Sequence, residues 1–247
     1  MIRSLILMFQ FMTRLPIPIE IEMDKETISK GIIFLPLVGM VVGAISWVVY
    51  YLLSFINTDI AALGAVIANV AATGGLHIDG LSDTFDGFFS ARSRERILEI
   101  MKDSRVGTFG VIAIVMTLLA KYTLISNLPQ DMIFSALILA SGASRFAASF
   151  LITFGKSARP GGLGDMFSSS SSKAYFWLSA GIFSAIGIIL GGWAFIKSLV
   201  VILAFGLLLM RRSYRIIGGL TGDVYGAAIE ISDILGLITF LVVGAWI

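Results

Sequence analysis

The stretch GIIFLPLVGMVVGAISWVVYYLLSF, residues 31–55, contains no charged side chain. A bilayer core about 30 Å thick needs about 20 apolar residues in a helix, so this stretch is long enough to cross a membrane. Six further apolar stretches follow, at residues 59–76, 107–128, 131–154, 175–195, 198–212 and 229–247. The sequence therefore predicts an all-α fold, a polytopic integral membrane helical bundle of about seven transmembrane helices.

The composition of the whole chain also indicates a membrane setting. Of its 247 residues, 57% are hydrophobic and 14% are charged, and the mean hydropathy is +0.94. These values lie outside the usual range of soluble domains. The loops are too short to fold separately, so residues 1–247 are predicted to form a single membrane-embedded catalytic domain. Residues 4–12 are apolar but too short to span, and no cleavage site follows them, which indicates an N-terminal interfacial helix.

The basic residues predict which ends of the helices face the cytoplasm, because short cytoplasmic loops carry an excess of Lys and Arg. With seven spans, the N-terminus and residues 77–106, 155–174 and 211–226 lie on one side. That side holds fifteen of the eighteen basic residues, namely Arg3, Arg14, Lys25, Lys30, Arg92, Arg94, Arg96, Lys102, Arg105, Lys156, Arg159, Lys173, Arg211, Arg212 and Arg215. We expect this side to be cytoplasmic and the protein to lie in a prokaryotic cytoplasmic membrane.

Two simple counts exclude other classes of partner and site. The net charge of +2 is too small to favour nucleic acid. The chain has no cysteine, which excludes disulfides, iron–sulfur clusters and thiolate zinc sites. The oligomeric state is left open, and a homo-oligomer is compatible with the sequence.

Three aspartates stand close together in GGLHIDGLSDTFDG, residues 74–87. At about 100° per residue, Asp79, Asp83 and Asp86 share one face of a helix. Like charges this close repel one another, and a divalent cation would offset that repulsion. Carboxylates without cysteine, and with the single histidine His77, suit Mg²⁺ or Mn²⁺. The alternative interpretation is a solvated loop with surface ion pairs.

Mg²⁺ commonly binds together with a phosphorylated substrate, and several basic residues lie near the aspartates. Arg92, Lys102 and Arg105 are candidates for binding phosphate, with surface ion pairs as the alternative for residues 92–99. The glycines in KDSRVGTFG, residues 102–110, either hold an anion on backbone N–H groups or simply begin a helix. Arg159 lies in a flexible glycine-rich loop that either wraps a ligand or only connects two spans.

Further charges lie in or near the predicted spans. Asp223 and Glu230 are seven residues apart, on one helical face if the segment is helical. Arg145 lies inside a span, where an ion is usually functional or paired with a carboxylate. Lys121 is expected to extend towards the membrane surface and is given no role. His77 is a weaker candidate for a site residue.

Five segments resemble one family when they are taken together, in the order TRLPIP (13–18), GGLHIDGLSDTFDG (74–87), IMKDSRVGTFG (100–110), ARPGGLG (158–164) and GGLTGDVYGAAIE (218–230). The chain is similar to cobalamin synthases, also called adenosylcobinamide-GDP ribazoletransferases. The resemblance implies a Mg²⁺-dependent membrane enzyme that joins adenosylcobinamide-GDP to α-ribazole or its 5′-phosphate. The reaction releases GMP and completes the nucleotide loop of the corrinoid.

With this resemblance, the candidate residues take provisional roles. Asp79, Asp83 and Asp86 are predicted to hold one or two Mg²⁺ ions, and Asp103 is predicted to act either as general base or as a fourth ligand. The predicted substrate-binding residues are His77, Arg92, Lys102, Arg105, Arg159, Asp223 and Glu230.

Two other classes of function remain as alternatives. CDP-alcohol phosphotransferases carry a related aspartate motif, and Asp83 with Asp86 and Gly87 matches its first part. Ala91 and Arg92 follow one residue late, and the second half of the motif is missing. That enzyme class, or a prenyltransferase, would act on a lipid. A divalent cation transporter is the other alternative, although transporters bind their ions near mid-membrane.

Overall fold

The computed structural model describes residues 1–244, which form eleven α-helices joined by short loops. They are α1 (Ile2–Met12), α2 (Lys25–Gly31), α3 (Leu35–Ser54), α4 (Thr58–Thr73), α5 (Leu76–Phe89), α6 (Arg94–Ile100), α7 (Thr108–Asn127), α8 (Ile133–Phe154), α9 (Leu163–Ser170), α10 (Lys173–Ile217) and α11 (Gly222–Gly244). A 3₁₀ turn joins α2 to α3. These residues contain no β-strand, so the predicted all-α class is confirmed.

Five helical segments of the described chain are long and apolar enough to cross a membrane, and the bent pair of α4 and α5 brings the number to six. That number takes α10 as one helix of 45 residues. Within α10, however, Gly192 has φ 51° and ψ −131°. These backbone angles do not occur in an α-helix. The helix is broken at this glycine.

The aromatic contacts of α10 show how sharp this break is. The ring centroids of Phe183 and Phe195 are 5.2 Å apart, whereas twelve residues of straight helix would separate them by about 18 Å. The chain therefore reverses at Gly192 into two arms, residues 173–191 and 193–217. These arms correspond to the predicted stretches 175–195 and 198–212. Each of the seven predicted stretches thus has a helical counterpart, and residues 245–247 of the last one lie outside the described residues.

A sharp bend separates α4 from α5. Asn57 caps the start of α4 by accepting a hydrogen bond from the N–H of Asp59, and two glycines end the helix. Gly74 and Gly75 have φ values of 63° and 74°, in the left-handed region that favours glycine. The axes of the two helices consequently meet at 88°. The aspartate-rich α5 therefore does not continue the direction of α4.

Helix α8 lies at the centre of the bundle. In its most apolar segment of 18 residues, 83% of the residues are buried. The helix packs against α3, α10 and α11. Small side chains such as Ala140, Ala143 and Ala147 allow these neighbours to approach closely. Helices α4 and α8 end, and α7 and α11 begin, at the same end of the bundle, which we call the cavity end.

Candidate active site

A cavity of about 260 Å³ lies at the cavity end, between α1, α5, α9 and the start of α11. Four of the residues predicted to form the site line it: His77, Asp79, Arg159 and Asp223. They come from α5, from the loop after α8 and from the first turn of α11. The structure therefore brings together residues that are as far as 146 positions apart in the sequence.

Close packing between α5 and α11 positions the carboxylates of the site. A Cβ atom placed on Gly80 would lie 2.9 Å from the backbone oxygen of Asp223 and 3.3 Å from the Cα of Gly226. Only glycines permit the two helices to approach this closely. As a result, the charge of Asp223 acts on Asp83, in addition to that of Asp79 on the same helix.

Arg159 is the cation that faces these carboxylates, since its charge acts on both Asp83 and Asp223. Its loop is fixed to the start of α11 because Leu220 donates to the oxygen of Lys156 and Ala158 donates to the oxygen of Leu220, each at 2.8 Å. Nη2 of Arg159 donates to the oxygen of Leu98 at 3.0 Å. The glycine-rich loop is therefore held by hydrogen bonds at the position of Arg159.

The third aspartate of the predicted trio makes different contacts. Asp86 is buried, and its two carboxylate oxygens accept the backbone N–H groups of Gly107 and Gly110 at 2.7 and 2.8 Å. The N-terminus of α7 therefore does bind an anion, and that anion is the carboxylate of Asp86. This position ties α5 to α7, and Asp86 does not line the cavity.

The predicted general base lies outside the cavity. Asp103 is in the loop between α6 and α7 and accepts hydrogen bonds from Arg105, with 2.6 Å between Oδ2 and Nη2. Hydrogen bonding to this guanidinium lowers the pKa of Asp103 to about 2. In this arrangement a cation holds the carboxylate of Asp103 away from the cavity, and its role as general base stays a prediction.

The other basic candidates lie on the same exposed segment. Arg92 and Lys102 are exposed and do not line the cavity. Arg96 pairs with Glu99 at 2.7 Å on the surface, as the ion-pair interpretation of residues 92–99 predicts. Arg94 differs, because its Nε donates to the oxygen of Ile217 at 2.8 Å and so links α6 to the end of α10.

Glu230 is not at the cavity, contrary to the expectation that it binds a substrate. It lies about 10 Å along α11 from Asp223, is 2% exposed and pairs with Lys121 at 2.7 Å. Lys121 also pairs with Asp233 at 3.0 Å, and Arg145 is 3.7 Å from the same carboxylate. Lys121 is therefore buried, and the prediction that it extends to the membrane surface is wrong.

The described residues contain no group of three Asp, Glu or His side chains already arranged around one metal position. The donor set nevertheless suits a hard divalent cation. Mg²⁺ usually binds through one or two carboxylates and completes its shell with water and substrate phosphate. Asp79 lines the cavity, and Asp83 lies one turn further along α5, outside the lining residues; together they would provide such a partial site.

Several residues that line the cavity were not found from the sequence. The rings of Phe11 and Phe167 stack with their centroids 4.7 Å apart, and Met12, Ile152 and Ile229 line the same cavity. A phenylalanine in an apolar chain carries no signal that separates a cavity wall from a lipid-facing position. Asp165 and Thr221, at the polar edge, lie within or beside the quoted glycine-rich motifs, which was the one available signal.

Comparison with known proteins identifies the family. The sequence profile described as cobalamin-5-phosphate synthase matches residues 4–241. The chain belongs to this family. A relative from Clostridium novyi, named adenosylcobinamide-GDP ribazoletransferase, is 42% identical over 242 residues, covering 97% of this chain and 96% of the relative. A relative of the same name from Escherichia coli K12 is 40% identical over 95% of this chain and 97% of its own.

No solved structure matches this chain. The family match covers nearly the whole sequence and identifies a transferase of cobalamin synthesis. It therefore favours this function over the lipid-modifying enzymes and the cation transporter. The charges near mid-bundle, which a transporter would need, are paired with one another.

Proposed function

We propose that this membrane protein is an adenosylcobinamide-GDP ribazoletransferase whose active site is the cavity between α5 and α11. The observation that carries the assignment is the meeting of Asp79, Asp223 and Arg159 at one cavity. Such a site supplies carboxylates for a cation and a proton, and a guanidinium for phosphate. The family membership and the names of the relatives support the substrates.

Asp79 and Asp83 would hold Mg²⁺, or Mn²⁺ in its place. When bound, the cation offsets the charge of the diphosphate and stabilises GMP as the leaving group. Asp86 was also predicted as a ligand, but both of its oxygens already accept backbone N–H groups. We therefore assign Asp86 to the positioning of α7 and leave two carboxylates of α5 for the cation.

Arg159 binds the phosphate groups of adenosylcobinamide-GDP, since guanidinium offers two parallel donors to a phosphate. The ribose 3′-hydroxyl of α-ribazole attacks the phosphorus that carries the cobinamide aminopropanol. A carboxylate oxygen of Asp223 accepts the hydroxyl proton. The new O–P bond forms as the bond from this phosphorus to the bridging oxygen breaks, and GMP leaves with that oxygen.

The exposed segment between α5 and α7 completes the proposed site. Arg92, Lys102 and Arg105 lie there at the cavity end, where they can contact the outer part of the GDP group. Arg105 must first release Asp103, its partner in this structure. The basic residues concentrated at this end support an active site on the cytoplasmic side of the cytoplasmic membrane.

The test is a reaction with purified protein. Adenosylcobinamide-GDP, α-ribazole and Mg²⁺ are incubated with the protein in detergent or liposomes, and GMP and a base-on corrinoid are measured. We expect both products in equal amounts, and none when the cation is removed with a chelator. Activity with CDP-diacylglycerol or a prenyl diphosphate as the donor, without GMP from the corrinoid substrate, would contradict the proposal.

A further inference from the structure

The cavity is lined by two chemically different groups of side chains, which we call its polar and apolar halves. Asp79, Arg159 and Asp223 belong to the polar half, whereas the apolar half includes Phe167, which is 2% exposed, and Ile229, which is 1% exposed. The remaining apolar lining residues are Phe11, Met12, Leu76, Ile152 and Leu163. Only the polar half is used by the proposed phosphate chemistry, so the apolar half needs a ligand of its own.

The volume of the cavity limits what this ligand can be. At about 260 Å³, the cavity is slightly smaller than most ligand pockets. A corrin ring with its amide side chains is far larger than this space. The corrinoid must therefore lie outside the cavity, and only a group of the size of a nucleoside base fits inside.

Two bases take part in the proposed reaction, and the apolar lining distinguishes between them. Guanine carries an exocyclic amine, a ring N–H and a carbonyl, which would lose their hydrogen bonds to water against Ile152, Phe167 and Ile229. The dimethylbenzimidazole of α-ribazole carries two methyl groups and, on its rings, a single hydrogen-bond acceptor. Burial of this base against apolar side chains is favourable.

One buried polar atom matches that acceptor. His77 lines the cavity and is 2% exposed, and its Nε2 contacts no hydrogen-bond partner within residues 1–244. A neutral imidazole that carries its proton on Nε2 donates one hydrogen bond there. A buried donor without a partner is costly. The free ring nitrogen of dimethylbenzimidazole supplies the missing acceptor.

We propose that the apolar half of the cavity binds the dimethylbenzimidazole base of the acceptor nucleoside and that His77 donates a hydrogen bond to its free ring nitrogen. This inference rests on the proposed function. The stacked rings of Phe11 and Phe167 form one wall of the pocket. With its base held there, the nucleoside directs its ribose to the polar half, where Asp223 receives the proton of the attacking hydroxyl.

Kinetics with two acceptors and variants of one side chain test the proposal. We expect the wild-type kcat/KM to be at least about tenfold higher for α-ribazole than for the same riboside of unmethylated benzimidazole, because methyl groups in an apolar pocket discriminate by about that factor. Ile229→Phe fills the pocket. It should raise the KM for α-ribazole about tenfold or more and leave the KM for adenosylcobinamide-GDP within about twofold.

Ile238→Phe is the matched control, because Ile238 lies on the same helix and is 39% exposed. This variant should keep both KM values. Ile229→Ala, which enlarges the pocket, should reduce the preference for the methylated base, and it decides the question if the phenylalanine variant does not fold. His77→Leu should raise the KM for α-ribazole, while His77→Gln, which keeps an N–H donor, should partly restore it.

The outcomes separate this proposal from the proposed function. Without GMP and base-on product from the wild-type protein, the proposed function fails. With normal wild-type activity, a raised KM for adenosylcobinamide-GDP and an unchanged KM for α-ribazole in Ile229→Phe would show that the cavity binds the other substrate. Equal use of both acceptors by the wild type would also overturn the proposal.

Discussion

At the scale of single residues, aspartates that look alike in the sequence differ in their contacts. Asp79 and Asp223 line the cavity, Asp86 binds the N-terminus of α7, and Asp103 pairs with Arg105 on the surface. Their roles follow from these neighbours. A carboxylate held by backbone N–H groups fixes a helix, whereas one at the cavity is available to a substrate.

The choice between Asp223 and Asp103 as general base gives the first residue-scale prediction. Asp223→Asn should lower kcat by 10²–10⁴-fold, the usual contribution of a general base. Asp103→Asn should lower kcat by about threefold or less, since Asp103 lies outside the cavity. Its pKa of about 2, lowered by Arg105, means that it stays ionised over the whole pH range of the assay.

Steady-state rates at several Mg²⁺ concentrations check this prediction and control for metal binding. The low rate of Asp223→Asn should not recover at high Mg²⁺, because a lost proton acceptor is not replaced by mass action. A large loss in Asp103→Asn at all Mg²⁺ concentrations would restore Asp103 as the base. A loss in Asp103→Asn that high Mg²⁺ reverses would make Asp103 a ligand.

At the scale of helices, the site depends on the contact between α5 and α11. The bend at Gly74 and Gly75 turns α5 away from α4, and Gly80 and Gly226 allow it to touch α11. Asp86 fixes the other side of α5 to α7. Helix α5 is therefore held by two neighbours in the orientation that brings Asp79 to the cavity.

The element-scale prediction concerns Gly80→Ala. The new methyl group would lie 2.9 Å from the backbone oxygen of Asp223, so the helices must separate. We expect a destabilisation of about 1–3 kcal/mol from overpacking. The kcat/KM should fall by about tenfold or more, because a shift of about 1 Å at reacting groups is costly.

Gly181→Ala is the matched control for this prediction. Gly181 also lies in a helix, but a Cβ atom there has no neighbour within 4 Å. Its activity should stay at the wild-type level, and its stability should be equal or slightly higher because alanine favours helix. Thermal unfolding and activity assays measure both effects. Wild-type kcat/KM in Gly80→Ala would contradict the role given to this contact.

At the scale of the whole molecule, charge is distributed between a polar end and a paired interior. Fifteen basic residues lie in the segments at the cavity end. Inside the bundle, Lys121 and Arg145 face Glu230 and Asp233, which together carry no net charge. Unpaired charges in a membrane would be costly, so this cluster also fixes how α7, α8 and α11 pack together.

The whole-molecule prediction uses the absence of native cysteine. Single cysteines at Arg92 and Ser104 should react with a membrane-impermeant maleimide from the cytoplasmic side, because both positions are exposed at the cavity end. Cysteines at Asn127 and Lys197 should react from the opposite side. Exposed Arg212 reports on the reversal at Gly192: a cysteine there should react from the cytoplasmic side, because the second arm returns to that side only if the chain turns back.

Inside-out and right-side-out vesicles provide the two sides for this measurement, and labelling after detergent treatment controls for buried positions. Reaction of Arg92→Cys and Asn127→Cys from the same side would contradict the arrangement of the helices. Reaction of Arg212→Cys from the side opposite the cytoplasm alone would contradict the reversal at Gly192.

The sequence alone determined the membrane class, the apolar segments and the side on which charge gathers. These properties depend on composition and short-range pattern, because each span is long and apolar without reference to any other. Order and spacing of motifs also predicted His77, Asp79, Arg159 and Asp223, four residues that do line one cavity. These four residues could be predicted because the residue types and the short motifs around them are visible in the sequence.

Only the tertiary structure decided which charges are paired and which are free to act. Asp86 is 24 residues from Gly110, and Lys121 is 112 residues from Asp233, yet each pair forms a hydrogen bond. Their separation of seven residues places Asp223 and Glu230 on one face of α11. They lie at different depths along the helix, however, so Asp223 lines the cavity and Glu230 belongs to the buried cluster. Partners of this kind are set by the packing of whole helices, which local sequence does not contain.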